Sequence, residues 1–334
     1  MQFSKIDYYI LIGISILVFT FPLFVSNEYI ISVLNFMGIN IIIVLGLNLL
    51  MGYAGQISLG HAGFFGMGAY VSGILTAKYA FNPWLAFIIA IILTSILAFV
   101  IGFPTLKLKG YYLAMATLGF GMIMSIIFVQ LDELTGGASG LVGIPSLSIN
   151  GFSFSTSLRN YFLIWITLFI LTILSINLIE SKVGRALRAI HTGETASMIL
   201  GVETHKLKIK VFVLSAIFAS IAGSYYAHFV NFISPSSFDF HYSILFITMV
   251  ILGGMGSIWG SYFGGALLSV LPEFLHSIED YNIVLYGFLL IIIMFFLPKG
   301  VIPTLSEVIR NCLERKESFI NRLIKARMDY PRGE

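Results

Sequence analysis

The sequence predicts an all-α polytopic membrane protein of about ten transmembrane helices, with both termini cytoplasmic and a helical loop between spans six and seven. Three observations carry that expectation. Of 334 residues, 58% are hydrophobic and only 10% are charged, where an ordinary globular chain has about a quarter charged. Mean hydropathy is +0.95. The basic residues fall in clusters between long apolar runs, the distribution that membrane topology imposes. A chain with so little polar surface cannot cover several cores in water and takes lipid as its outer solvent. Residues 1–334 read as one membrane domain, with a cytoplasmic loop at 180–210 and a basic amphipathic tail at 299–334.

A spanning helix needs about 20 mostly apolar residues. On that rule the spans run near Tyr8 to Val25, Ile30 to Met51, Ala62 to Ala77, Trp84 to Phe103, Tyr111 to Gln130, Tyr161 to Ile179 and Val211 to Asn231, and a last one near Tyr281 to Leu297 is stopped by Pro298. The first follows a lone Lys5 and precedes FPLFVSNEY, with no small-x-small cleavage site, and so reads as an uncleaved anchor. The stretch from Tyr242 to Leu275 is too long for one helix and barely long enough for two, and it breaks at Gly253, Gly254 and Gly256. Splitting it gives ten spans and puts 17 of the 19 Lys and Arg on one side: Lys5, Lys107, Lys109, six from Lys182 to Lys210, and eight from Lys299 to Arg332. Only Lys78 and Arg159 fall outside. Left whole, the stretch would set the basic tail opposite the basic loop, against the positive-inside rule.

Several function classes drop out. The lone Cys312 forbids an intramolecular disulfide, and no run has zinc-ligand spacing. A net charge of +3 does not call for nucleic acid. Acidic residues sit in loops, in the tail or at span ends, as Asp132, Glu133, Asp239 and Glu273 do. No carboxylate stands at mid-span, where proton pumps and many ion-coupled carriers need one. There is no GxxxxGK[ST] phosphate loop, so uphill transport would draw its energy from a partner.

Two segments are too rich in glycine for cheap helix interiors: GYAGQISLGHAGFFGMGAY, Gly52 to Tyr70, and GGMGSIWGSYFGG, Gly253 to Gly265. In the second, Gly256, Gly260 and Gly264 recur every fourth residue and form a flat ridge for helix packing, with Gly253 and Gly254 at its start. The first mixes Gly52, Gly55 and Gly60 with Gln56, Ser58 and His61 at a membrane boundary. Polar side chains beside loosened backbone can line an aqueous path, or they can satisfy a neighbouring helix. Asn35, Asn40, Asn48, His228 and Asn231 read as interhelical hydrogen-bonding groups.

The longest polar stretch between spans, Glu180 to Lys210, carries GRALRAI, HTGE and TASMILG. Val183, Leu187 and Ile190 make one apolar stripe of a short helix, with Arg185 and Arg188 pointing elsewhere. Thr192 is expected to cap a second short helix, with Glu194 in its first turn and Gly201 ending it. The expected result is a surface helix-turn-helix that needs an external groove to bury Leu187, Ile190, Ile199 and Leu200. From Thr304 to Tyr330 a capping box (Thr304, Glu307) and helical apolar spacing read as an amphipathic helix with a basic face, suited to anionic lipid or to a protein surface.

The run NLLMGYAGQISLGHAGFFGMGAY resembles the segment that marks permease subunits of branched-chain amino acid ABC importers, a family that includes urea and amide permeases. Val183 to Ala227 is similar to the cytoplasmic coupling region and following span of the same permeases, and ITMVILGGMGSIWGSYFGGALL gives a third match in the same order. In length the chain resembles the longer, second member of the permease pair. The resemblance implies a multi-pass protein of the cytoplasmic (inner) membrane that carries leucine, isoleucine or valine. It implies a second homologous permease, two cytoplasmic ATP-binding subunits that use ATP and magnesium, and an extracytoplasmic solute-binding protein. This chain itself would bind no cofactor and catalyse nothing. TASMILG occupies the place of an EAA-x3-G signature, which implies coupling roles for Gly184, Arg185, Leu187, Arg188, Glu194, Ala196 and Gly201, although the glutamate stands one residue early. A urea or amide permease, a passive channel and a membrane enzyme are the rivals, the last lacking an acidic partner for His61 and Ser58.

Overall fold

A computed structural model describes residues 13–16, 18–22, 27–149, 152–275, 287–288, 291, 295 and 300–304. The expected last span, nearly all of the tail, Lys5 and most of the first span lie outside the described residues. In lipid the backbone must satisfy its own polar groups, and helices do that within one segment. The described elements are accordingly almost all helical.

Helix α1, Glu28–Asn48, starts at Asn27, whose side chain accepts the Tyr29 N–H, and widens at its end into a π-helical turn, Leu49–Tyr53. After an irregular stretch come α2, His61–Ala77, then α3, Pro83–Thr105, with Pro at its first position, and α4, Tyr111–Gln130. The short α5, Asp132–Thr135, opens a loop of small strands: β1 (Leu141–Val142), β2 (Ser148–Ile149) and β3 (Phe152–Ser153). Helix α6, Ser157–Glu180, leads to two surface helices, α7 (Lys182–Thr192) and α8 (Glu194–Ile199). The longest helix, α9, spans Thr204–Val230 and is followed by β4 (Phe232–Ile233), α10 (Phe240–Gly253) and α11 (Ile258–Leu275). Strands β1 and β4 pair antiparallel, as do β2 and β3. The break expected between Gly253 and Gly256 is the turn separating α10 from α11.

Six of these helices are long and apolar enough to cross a membrane. Helices α1 and α9 form the interior: α9 packs on α1, α2 and α3, and α1 also packs on α6, α10 and α11. Helix α3 shows how a span divides lipid from protein. Ala86, Ala90, Thr94, Ala98 and Gly102, spaced every fourth residue, are buried, while Ile88, Ile92, Ile96 and Phe99 point outward. Small residues let the α9 backbone approach, and the branched apolar ones meet lipid.

The loops gather at two faces. On one, Gly52 abuts Gly256, Gly55 abuts His191, Gly300 abuts Gly254, and the Phe103 ring lies 5.6 Å from His205. On the other, Trp84 Nε1 donates to the Ser148 carbonyl at 2.9 Å, Lys78 donates to the Glu133 carbonyl, and Tyr29 meets Glu273. Of the ten Lys and Arg among the described residues, all but Lys78 and Arg159 belong to the first face, the asymmetry that the positive-inside rule associates with a cytoplasmic side.

Candidate functional site

The irregular backbone from Ala54 to Gly60 is bracketed by a π-helical turn and the start of α2. Such turns recur at functional sites because they widen the helix and redirect side chains. Ser58 Oγ lies 2.9 Å from His61 Nδ1, and His61 Nε2 lies 2.6 Å from Ser215 Oγ on α9; both Ser58 and His61 are fully buried. The Leu59 N–H donates to Thr117 Oγ1 and the Ala62 N–H to Ser243 Oγ, so four helices meet at this segment. Gly60 is where α4 presses on it: a Cβ there would lie 2.5 Å from the Thr117 carbonyl oxygen. Gln56 turns back to donate to the Ala54 carbonyl, and Gly55, in the left-handed region at φ 67°, is exposed beside His191.

Asn48 fastens the two glycine-rich segments together. Its Oδ1 accepts the Gly256 N–H at 2.9 Å, and its Nδ2 donates to the Ser257 carbonyl (2.7 Å) and Ser261 Oγ (2.8 Å). Gly52 meets the Gly256 backbone beside it. Gly253, Gly260 and Gly264 bring the backbones of α10 and α11 into contact, and Gly254 takes the positive φ of the turn between them. Three further polar groups of the spans find partners on neighbouring helices: Asn35 Nδ2 donates to the Ser157 carbonyl, Asn40 to Ser269 Oγ, and His228 pairs with Ser72 Oγ at 2.6 Å. At the second face His228 Nδ1 and Asn231 hold the carbonyls of Pro145 and Ile144.

The loop at 180–210 differs from expectation in two ways. Thr192 does not cap the second helix; it is the last residue of α7, its hydroxyl donating back to the Arg188 carbonyl, and extended Gly193 precedes α8. Leu187 and Ile190 are already buried against the chain's own body, so of the four apolar residues expected to need an external groove, Ile199 (82% exposed) and Leu200 (81% exposed) stay open among the described residues, with Met198 beside them. Gly184 packs on the Ile179 backbone, which lets α7 fold back on α6. Arg188 Nη2 and Arg185 Nη1 donate to the carbonyls of Ile179 and Glu180, satisfying the end of α6 in the way basic groups favour. Glu194 meets Lys208 of α9 at 2.7 Å. Gly201, at φ 84°, closes α8: its N–H donates to the Met198 carbonyl and that of Val202 to the Ser197 carbonyl, and Ala196 faces outward. No sequence spacing announces the Glu194–Lys208 pair or the β1–β4 pairing, since both join segments with no shared periodicity. The α3 ridge is plain in the sequence as small residues every fourth place. Among the described residues no three His, Cys, Asp or Glu side chains gather as a metal site.

Residues 29–294 match the family described as the branched-chain amino acid transport system / permease component. The chain is 33% identical over 263 residues to the high-affinity branched-chain amino acid transport system permease protein LivM of Escherichia coli strain K12, covering 72% of this chain and 62% of that protein. It is 30% identical over 273 residues to the probable branched-chain amino acid transport permease protein LivM of Methanocaldococcus jannaschii, covering 72% and 78%. It is also 32% identical over 199 residues to the permease protein LivH of E. coli K12, covering 55% and 63%. The aligned part thus spans about six tenths of the E. coli LivM length. No solved structure matches the chain.

Proposed function

Given that the chain belongs to the family of branched-chain amino acid transport permease components, we propose that it is the membrane-spanning subunit of an ATP-driven importer for leucine, isoleucine and valine. It is a transport subunit and not an enzyme. The observation that carries the reading is the α7–α8 loop: a short helix on the basic face whose apolar tip, Ile199 and Leu200, has no cover among the described residues. A helix of six residues does not hold itself together in water, and such a tip fits the groove of a soluble partner. That partner is an ATP-binding subunit, present twice and using ATP with magnesium, because this chain has no phosphate loop of its own.

The likeness to both LivM and LivH supports pairing with a second, homologous permease. A solute-binding protein would deliver substrate at the opposite face. Ten spans in the cytoplasmic membrane, with both termini inside, complete the proposal: Glu273 and Gly300 lie at opposite faces. The segment holding Gly52, Gly55, Gln56, Ser58, Gly60 and His61 would border the path, and Gly184, Arg185, Leu187, Arg188, Glu194, Ala196 and Gly201 would shape the coupling loop.

Radiolabelled leucine and urea uptake, measured in vesicles with and without the partner proteins, tests this. Leucine uptake that requires all partners is expected. Urea uptake in its place would transfer the chain to the amide-transporting branch of the family.

A further inference from the structure

Lys208 is an unusual lysine: it stands one turn into α9 with a side chain only 2% exposed, and it is paired with the Glu194 carboxylate at the first residue of α8, 2.7 Å away. The neighbouring pair Lys206–Glu203 is ordinary by contrast, with side chains 69% and 67% exposed. A solvent-exposed pair of that kind holds little. A buried pair contributes little net stability, yet it fixes geometry, because separating the partners leaves an uncompensated buried charge.

The rest of α8 is loosely held. It has no side-chain cap at its start, glycine on either side, and an apolar tip turned outward. The helix at the other end of the ion pair is the most enclosed of the long spans. Helix α9 rises about 1.5 Å per residue and touches three levels of the molecule: Lys208 at the cytoplasmic end, Ser215 on His61 beside the irregular backbone, and His228 on Ser72 and the Pro145 carbonyl at the outer face.

We propose that Glu194–Lys208 is the positioning pair through which displacement of α8 reaches α9, and through α9 the irregular segment and the outer loop. This deepens the reading of the chain as an ATP-coupled permease and rests on it. A rigid link matters there because, among the described residues, α8 has few other ties to the body, and packed helices pass on a shift only when the joint does not yield.

The test uses the assembled importer in proteoliposomes and reads leucine molecules imported per ATP hydrolysed. Lys208→Met, which keeps length and removes charge, and Glu194→Gln, at a residue with a 20% exposed side chain, are each expected to lower that ratio about tenfold, within the range usual for coupling between sites. Lys208→Arg, which preserves the pair, and Lys206→Met, on the exposed pair, are expected to stay near wild type. A purely structural role would reduce the yield of complex without moving the ratio. Should Lys208→Met fail to assemble, Glu194→Gln carries the measurement. A wild-type ratio in Glu194→Gln, or an equal loss in Lys208→Arg, overturns the inference while leaving the importer reading intact. A wild-type complex whose ATP hydrolysis ignores leucine overturns both.

Discussion

Asn48 is buried inside a membrane domain and keeps both ends of its amide occupied by one turn of another segment. Removing it leaves the Gly256 N–H and Ser261 hydroxyl without their partner, and an orphaned buried polar group costs about 1–3 kcal/mol. Asn48→Leu is therefore expected to lower the thermal stability of the purified protein in detergent, with Asn48→Gln intermediate; equal melting of wild type and Asn48→Leu would contradict the clamp. Leu187 makes a second case. Being buried within the chain, Leu187→Ala is expected to cost about 2–5 kcal/mol by cavity formation, and so to loosen the loop itself rather than an external contact. Limited proteolysis after Arg185 or Arg188 should become faster, and an unchanged digestion rate would oppose that assignment.

Helix α8 has a sharp stop because Gly201 takes a left-handed conformation that a β-branched residue resists, by about 1–2 kcal/mol or more. Gly201→Val should unwind or redirect the tip, whereas Ile199→Asp with Leu200→Asp leaves the backbone alone and removes only the apolar surface. Both are expected to insert in the membrane and to lose copurification of the ATP-binding subunits. Retained copurification of the double aspartate variant would show that the tip is not the docking surface. Sequence periodicity and charge were enough to mark α1 to α4, α6, α9, the α10–α11 break and the glycine close to α8, since each follows from a local pattern. The burial of Leu187 and Ile190 was not legible: an apolar stripe on a surface helix says that something covers it, not whether the cover is the same chain. Nor was the cap of α8, where Thr192 and Gly193 compete and the backbone chose the glycine. Within the candidate site, His61 and Ser58 stood out by type, but their partner Ser215 lies far along the chain.

Taken together, the two loop faces assign sides to every described connection. Single cysteines at positions 79, 142 and 232 in a Cys312→Ser background are expected to react with an impermeant thiol reagent added outside sealed cells. Cysteines at 107, 191 and 199 are expected to react only after permeabilisation. Outside labelling at 199 would invert the topology and with it the proposed coupling. The interior built on α1 and α9, with small-residue ridges between helices and branched residues toward lipid, is what the proposed drive from one cytoplasmic loop would require of a rigid body.

The most direct measurement is leucine accumulation against its own gradient, by proteoliposomes holding the complete importer, with ATP present or absent. Accumulation that needs ATP and vanishes in the Ile199→Asp, Leu200→Asp variant is the expected result. Leucine flux through the purified chain alone, running only down the gradient and indifferent both to ATP and to those substitutions, would identify a channel and contradict the account.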